Sequence, residues 1–300
     1  MNNKHQIMQD FNIFAGAFVD RFGERRKDSA WLEQAAKSPD SRFVAVWGES
    51  CLVRGDSTHV ALLQRQQIES YIDHENLIFL GLFRDQPAFA VAIISELAPP
   101  FSEFGEFQDL HFIGTALPHD EANLAAHARA LVLWHQSQVF CGVCGSQTKQ
   151  DSGGNSRKCS GCGKRLFPRV DPAIIVLVSD GERCLLGRKE RWPEGRYSTI
   201  SGFVEPGESL EDGVRREVFE ETNVRVGKVS YHSSQPWPFP AALMLGFTAE
   251  AESQHIKLND GELEDARWFT REQLSAEDMK LPFRISIARR LVDHFLRQGD

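Results

Sequence analysis

The segment that decides the fold of the C-terminal half reads Gly202-Phe-Val-Glu-Pro-Gly-Glu-Ser-Leu-Glu-Asp-Gly-Val-Arg-Arg-Glu-Val-Phe-Glu-Glu-Thr-Asn-Val224. Its order of residue types predicts a strand end, a Pro-Gly turn and then a helix. Ser209 followed by Asp212 is typical of a capped helix start. Val214 and Val218, four residues apart, supply one apolar stripe for packing. The segment therefore predicts a helix that packs on a sheet and follows a glycine-rich loop.

Three glutamates share one face of this helix. At ~100° per residue, Glu217, Glu220 and Glu221 fall within an arc of roughly 100°. Like charges at this spacing cost a few tenths of a kcal/mol per pair, and no lysine lies on the arc. Hard oxygen ligands on one face suit Mg²⁺ or Mn²⁺. The ordinary alternative is a solvated acidic face, but the spacing and the glycine-rich loop favour a metal site. Arg216 is expected to pair with Glu208 across the turn.

The same segment resembles the Nudix box, G-x5-E-x7-R-E-U-x-E-E-x-G-U. One defined position departs from the pattern, because Asn223 stands where the family has its late glycine. That glycine ends the helix in the left-handed conformation, which asparagine tolerates next best, so we expect a small loss of stability and no loss of chemistry. The matching positions are Gly202, Glu208, Arg216, Glu217, Val218, Glu220, Glu221 and Val224.

Two C-x2-C pairs, with 14 residues between them, precede this region. Thiolates at such spacing supply four soft ligands in a tetrahedron, and four protein ligands make a structural zinc site with no open position. Two disulfides are the alternative, which a reducing compartment disfavours. The polar, glycine-rich run 147–158 predicts an exposed hairpin tip. The four predicted ligands are Cys141, Cys144, Cys159 and Cys162.

A proline-rich run, Ser234-Gln-Pro-Trp-Pro-Phe-Pro-Ala-Ala242, follows the box. Its alternating prolines predict a rigid, extended strip that cannot be a central strand. Trp237 and Phe239 on such a strip suit stacking against a planar ring such as adenine or nicotinamide. Composition alone would favour a structural loop with both rings in the core.

This run resembles the SQPWPFPxS signature of the NADH pyrophosphatase branch of the Nudix hydrolases and matches it through Pro240, with Ala242 in place of the last serine. The order of parts also resembles that branch: an α/β domain, a four-cysteine zinc ribbon, the step Phe167-Pro168-Arg169 and a Nudix domain. The resemblance implies an α+β protein with an N-terminal Nudix-associated α/β domain at 1–138, a zinc ribbon at 139–168 and a catalytic Nudix α/β/α sandwich at 169–300.

The resemblance also implies roles for individual residues. Glu217, Glu220 and Glu221 form the catalytic cluster. Gly202, Glu208 and Arg216 support its structure. The implied Mg²⁺ or Mn²⁺ ligands are the backbone carbonyl of Ser201 and the side chains of Glu217, Glu221 and Glu262. The implied substrate contacts are Phe203, Ser234, Gln235, Pro236, Trp237, Pro238, Phe239, Pro240, Ala241, the backbone of Ala288, and Phe167, which stands where some members have a tyrosine.

The implied reaction is metal-dependent hydrolysis of the pyrophosphate of NAD(H) to AMP and nicotinamide mononucleotide. Removal of NAD caps from RNA 5′ ends would use the same bond, and a broad dinucleotide or ADP-ribose pyrophosphatase is a further alternative. A zinc-ribbon regulator that binds nucleic acid with a dead Nudix site is the alternative outside enzymes. The intact glutamate cluster argues against a dead site.

Composition bounds the possible partners. The 34 Lys and Arg against 42 Asp and Glu give a net charge of −8, which argues against bulk electrostatic binding to nucleic acid or a membrane. No run reaches the roughly 18 apolar residues of a spanning helix, and Met1 to Asp10 lacks an apolar signal core. We expect a cytoplasmic homodimer, the dimer being implied by the resemblance.

The N-terminal part shows no catalytic constellation and no repeat of fixed period, so we expect a scaffolding or dimerisation role. A strand is predicted over Ser41 to Arg54, a hairpin over 77–94, and a helix from an Asp120 cap to about Gln138. In the C-terminal part, strands are predicted near 173–178, 197–204, 224–233 and 243–250, and a helix over about 284–296.

Overall fold

A computed structural model describes residues 11–73, 76–94, 98–259 and 261–298. The chain forms two compact units. The N-terminal unit consists of residues 14–170 and 237–241, and the C-terminal unit of residues 171–236 and 242 onward with the segment before Phe14. Met1 to Asp10, on which the signal-peptide expectation rests, lies outside the described residues. The division at 138 and 168 stays a prediction.

The N-terminal unit is built on a seven-stranded sheet in the order β1-β5-β6-β2-β3-β7, with β4 beside β2. Strands β2 and β6 are parallel, and every other pair is antiparallel. The elements are β1 (Val19–Asp20), α1 (Ser29–Lys37), β2 (Arg42–Trp47), β3 (Ser50–Val53), β4 (Leu62–Leu63), α2 (Arg65–Ile68), β5 (Leu77–Phe83), β6 (Gln86–Ile93), β7 (Glu106–Gln108), α3 (Leu110–Ile113) and α4 (His119–Ser137).

Of the elements expected in this unit, the hairpin and the helix are present, whereas the single strand and the helix cap differ from the expectation. The predicted hairpin is β5 and β6. The single strand expected over Ser41 to Arg54 is two strands, because Gly48 adopts a φ of 55° and turns the chain. The expected helix is α4, but it begins at His119, one residue before the expected cap. Asp120 instead accepts a hydrogen bond of 2.9 Å from Arg84 Nε.

The four-cysteine region forms a small sheet of β8 (Thr148–Asp151), β9 (Ser156–Cys159) and β10 (Arg165–Leu166). The tip between β8 and β9 is not exposed as expected. Gly154 is buried, and a Cβ added to it would lie 2.9 Å from the Ile78 side chain. On β9, the buried Arg157 donates 2.6 Å hydrogen bonds to Thr148 Oγ1 and to Nδ1 of His135 on α4. The glycine and polar residues of the tip therefore pack and form hydrogen bonds within the N-terminal unit.

The C-terminal unit has a six-stranded sheet in the order β14-β15-β11-β12-β16, with β13 beside β11 and with β15 parallel to β11. Helices cover both faces, as expected for an α/β/α sandwich, because alternate β11 residues point opposite ways. Ile174 packs in the core with α5, and Ile175 in the core with α7. The elements are β11 (Asp171–Ser179), β12 (Arg183–Arg188), β13 (Ile200–Phe203), α5 (Leu210–Thr222), β14 (Val226–Trp237), β15 (Ala242–Ala251), β16 (Asp265–Thr270), α6 (Arg271–Ser275) and α7 (Ile287–Arg297).

The two units share one strand plan, which the sequence did not reveal. In each, a central strand pairs with a parallel strand on one side and with its hairpin partner on the other, and a short third strand lies beside it. Chain order matches as well: β2 to β7 followed by α3 and α4 corresponds to β11 to β16 followed by α6 and α7. The α5 helix of the C-terminal unit, 13 residues long, corresponds to α2, which has 4.

Candidate active site

Helix α5 carries the predicted glutamates and begins and ends as its sequence predicts. The Ser209 hydroxyl accepts a 3.2 Å hydrogen bond from the Asp212 amide at the N-terminus. Asn223 ends the helix in the left-handed conformation, with φ 62° and ψ 8°, and its N–H donates to the Phe219 carbonyl at 2.7 Å. Asparagine thus performs the capping role of the family's glycine.

Arg216 fixes the loop before the helix, as predicted. Its Nη2 donates to Glu208 Oε2 and to the Phe203 carbonyl, both at 2.9 Å. The hydrogen bonds from Arg216 lower the pKa of Glu208 to about 2. The carboxylate therefore stays ionised, and the ion pair persists, throughout the neutral range.

Arg216 also contacts two members of the glutamate cluster, so the expectation of an uncompensated acidic face was incomplete. Its Nη1 donates to Glu217 Oε1 at 2.8 Å and to Glu220 Oε2 at 3.0 Å. Burial raises the pKa of Glu217, and the charges of Glu220 and Glu262 add to the rise, while Arg216 opposes it. One arginine thus offsets part of the repulsion that the sequence pattern implies.

Gly202 makes room for one of these carboxylates. It lies on β13 opposite Ile174, and a Cβ added to it would lie 1.9 Å from Glu217 Cδ. Ser201 and Phe203 flank it, and the Phe203 ring is 62% exposed. The glycine of the box is therefore required by the close approach of the Glu217 carboxylate to the strand backbone.

The remaining predicted ligands lie in different environments. Glu221 is 2% exposed on α5. The Glu262 side chain is 58% exposed and forms an ion pair with Lys189 Nζ at 3.0 Å. No pattern in the sequence indicated this ion pair. Carboxylate oxygens are the donors that Mg²⁺ and Mn²⁺ prefer, so the donor set fits such an ion. The oxygens of Glu217, Glu221 and Glu262 do not converge as one close group in the described chain.

The four cysteines do converge. Their sulfur atoms all lie within 4.8 Å of one another, with 3.8 Å from Cys141 to Cys162 and 3.4 Å from Cys144 to Cys159. Four sulfurs at about 2.3 Å from one ion would be separated by distances of this size. The hydrogen bond from the Ser146 amide lowers the pKa of Cys144 to about 6, whereas the neighbouring sulfurs raise the pKa of Cys162 to about 11 against the hydrogen bond from the Lys164 amide. The cluster fits a tetrahedral metal ion.

The proline-rich run divides between the units and is not extended throughout. Ser234, Gln235 and Pro236 lie on the part of edge strand β14 that belongs to the C-terminal unit. Trp237, the last residue of β14, and the turn after it, up to Ala241, belong to the N-terminal unit. Prolines with no N–H to donate suit an edge strand and a turn. The rings of Trp237 and Phe239 are both half-buried. This is intermediate between rings exposed for stacking on a substrate and rings packed in the core.

Two other predicted contacts are buried in the C-terminal unit. Gln235 is 0% exposed; its amide nitrogen donates to the carbonyls of Ile13 and Ile285, and its oxygen accepts from the Ile287 amide at the start of α7. Its side-chain amide therefore links β14 to the segment before Phe14 and to the start of α7. Ala288, on α7, is 1% exposed. Phe167, in the N-terminal unit, is 67% exposed.

Comparison with known proteins matches each half of the chain to a domain family. Residues 168–291 match the NUDIX domain family, and residues 40–134 match the NADH pyrophosphatase-like rudimentary NUDIX domain. The NAD-capped RNA hydrolase NUDT12 of Macaca fascicularis is 34% identical over 98% of this chain and 75% of its own. The NAD-capped RNA hydrolase NudC of Deinococcus radiodurans is 41% identical over 73% of this chain and 77% of its own.

Sandwich fold, glutamate helix and anchored loop together define a Nudix-type hydrolase domain. The second match explains the shared strand plan, since the N-terminal unit is a reduced copy of the same fold. The chain belongs to the NADH pyrophosphatase branch of the Nudix hydrolase family, as the sequence resemblance implied. Nudix hydrolases use divalent metal ions. Within the described residues, every helix is too short or too polar to span a bilayer.

Proposed function

We propose that this chain hydrolyses the pyrophosphate bond of NAD(H), releasing AMP and reduced or oxidised nicotinamide mononucleotide. The observation that carries the proposal is the joint presence of an ordered glutamate helix and the SQPWPFP run in one chain. The relatives named above as NAD-capped RNA hydrolases support the substrate class, because an NAD cap contains the same pyrophosphate bond.

Glu217, Glu221, Glu262 and the Ser201 carbonyl would hold the Mg²⁺ or Mn²⁺ ions. Bound ions supply charge neutralisation at the diphosphate and a water of lowered pKa. The chain's own contribution is to present these carboxylates correctly: Gly202 admits Glu217, and Arg216 ties α5 to its preceding loop through Glu208.

We assign the general base to Glu220 or Glu221. The Glu220 side chain is 51% exposed and bonded to Arg216, whereas Glu221 is almost fully buried. An exposed carboxylate exchanges protons with solvent readily, and a buried one suits a fixed ligand position. Separate Gln variants at 217, 220 and 221 would distinguish the roles by their metal dependence.

We assign the four-cysteine cluster to a structural Zn²⁺, since four thiolates leave no position for a water. Reduced thiols fit a cytoplasmic location, and we retain the homodimer as an expectation from the family resemblance. Among the predicted substrate contacts, Phe203 and Phe167 present exposed rings.

Cleavage of NAD-capped RNA is the second candidate, favoured by the names of the relatives. Purified protein should be given NADH, NAD⁺, ADP-ribose and NAD-capped RNA in parallel, with Mg²⁺ or Mn²⁺, and the products identified by mass spectrometry. AMP and nicotinamide mononucleotide from NADH would support the proposal, and Glu221→Gln should abolish them. RNA binding with no turnover of any substrate would contradict it and favour a regulator.

A further inference from the structure

The turn of residues 237–241, which begins at Trp237, the last residue of β14, is enclosed by side chains of its own unit. The Phe239 ring meets three others at steep angles, with centroid distances of 5.0 Å to Trp237, 5.3 Å to His111 and 6.0 Å to Phe14. Pro238 between the two rings is buried. The conformation of the turn is therefore set by the N-terminal unit, whose residues up to about 138 showed no catalytic constellation in the sequence.

One side chain holds both the backbone and a ring of this turn. Arg129, on α4, is 0% exposed, and its Nη1 donates to the Pro238 carbonyl. Its guanidinium carbon lies 4.8 Å from the centroid of the Phe239 ring. Glu49, in the turn between β2 and β3, completes the set: its carbonyl accepts from Arg129 Nε at 2.7 Å and its carboxylate from Nη2 at 2.6 Å.

This arrangement needs an arginine. A planar guanidinium can donate in several fixed directions while its face lies against a ring, whereas a lysine ammonium offers one compact charge. A buried charge is costly unless it is paired, and the Glu49 carboxylate pairs it. Each nitrogen of the Arg129 guanidinium thus makes a hydrogen bond, and the bond from Nη1 goes to the turn.

We propose that Arg129 is a positioning residue for substrate recognition: by fixing the Pro238 carbonyl and the Phe239 face, it sets the affinity of the turn for the dinucleotide. The inference rests on the proposed function, in which the SQPWPFP run contacts substrate. Because its bonds go to Glu49 and to the turn, Arg129 should affect binding of NADH and leave the chemical step unchanged.

The test is Arg129→Lys, measured in two ways on the full chain. Steady-state hydrolysis of NADH with saturating Mg²⁺ should show KM raised about tenfold, the equivalent of ~1.4 kcal/mol, with kcat within about twofold of wild type. Amide hydrogen exchange at Trp237, Phe239 and Ala241 should quicken at least tenfold. Glu49→Gln, which keeps the backbone acceptor, should show smaller changes of the same kind and serves if Arg129→Lys does not fold.

Arg157→Lys is the matched control. Arg157 is also a buried arginine of the N-terminal unit, but it bonds Thr148 and His135, neither of which belongs to the turn. It should lower stability with KM for NADH unchanged. An equal rise in KM for both variants, unchanged KM in Arg129→Lys, or unchanged exchange in the turn would overturn the positioning role. Wild-type protein that leaves NADH uncut would overturn the proposed function instead, and the exchange measurement would still decide whether Arg129 holds the turn.

Discussion

Gly202→Ala tests whether the carboxylate of Glu217 must sit against the strand backbone. The added Cβ would lie 1.9 Å from Glu217 Cδ and 2.0 and 2.2 Å from its two oxygens. Ordinary contact begins at about 3.4 Å, so the carboxylate must move by about 1.5 Å. Misplacing a reacting group by about 1 Å costs on the order of 100-fold in rate. We therefore expect kcat to fall at least 100-fold.

The fold should survive this change. Gly202 lies in a strand and does not have the left-handed φ that only glycine adopts readily, so alanine is allowed there. Gly213→Ala, on α5, is the matched control: its Cβ would meet Glu208 Oε2 at 3.3 Å, which a small side-chain shift relieves. We expect this control to keep activity within about threefold and to gain slightly in stability, since alanine favours helix.

The assay is AMP release from NADH across a titration of Mg²⁺, with thermal unfolding measured in parallel. If Glu217 is displaced, Gly202→Ala should need more Mg²⁺ as well as turning over slowly. The double variant Gly202→Ala with Glu217→Asp should recover part of the loss over Gly202→Ala, because aspartate is one methylene shorter. A wild-type kcat in Gly202→Ala would refute the claim that the Glu217 carboxylate must lie against the backbone at Gly202.

Four further outcomes are expected. Burial lowers the pKa of His135 to about 4, against the hydrogen bond to the Gly154 carbonyl and with help from the charge of Arg157, while the unfolded value is about 6.5. Protonation of His135 therefore favours unfolding as pH falls through 6.5, and this residue should account for about 2 kcal/mol of the stability lost from pH 7 to 5, read in urea titrations as a smaller loss in His135→Asn than in wild type. Arg216→Lys, which cannot bond Glu208 and Phe203 in the same geometry, should cut turnover at least tenfold with KM less affected, as read from initial rates. Chelation by EDTA should abolish NADH hydrolysis, and Mg²⁺ should restore it, while metal analysis still finds zinc. Cys144→Ser should lose that zinc and lower the unfolding temperature; full zinc occupancy in this variant would contradict the ligand assignment.

The local chemistry of α5 could be predicted because it depends on residues close in sequence. A serine cap, an asparagine in the left-handed position and the Arg216–Glu208 pair all lie within a short segment, and the structure confirms each of them. Side chains eight residues apart across one turn have few alternative partners. Where geometry is local, spacing is sufficient information.

Contacts between distant segments could not be predicted in the same way. Lys189 reaches Glu262 across 73 positions, and Arg129 reaches Pro238 across 109. Neither residue belongs to a spaced motif, and both would pass for ordinary surface charges in sequence. The buried tip of the cysteine hairpin is the same case, since a glycine-rich polar run carries no sign of the surface that covers it.

The reduced copy of the fold in the N-terminal unit shows why the strand plan alone does not define an active site. Where the C-terminal unit has the long helix α5, the N-terminal unit has the single turn Arg65–Ile68, of sequence Arg-Gln-Gln-Ile, which carries no carboxylate. A helix of that length cannot place glutamates three and four residues apart on one face. The sheet nevertheless retains its order because its buried strands still need partners. The reduced unit carries no such glutamates, but its helix α4 carries the buried Arg129. Through this residue, the unit fixes the turn of residues 237–241, which we propose contacts the substrate.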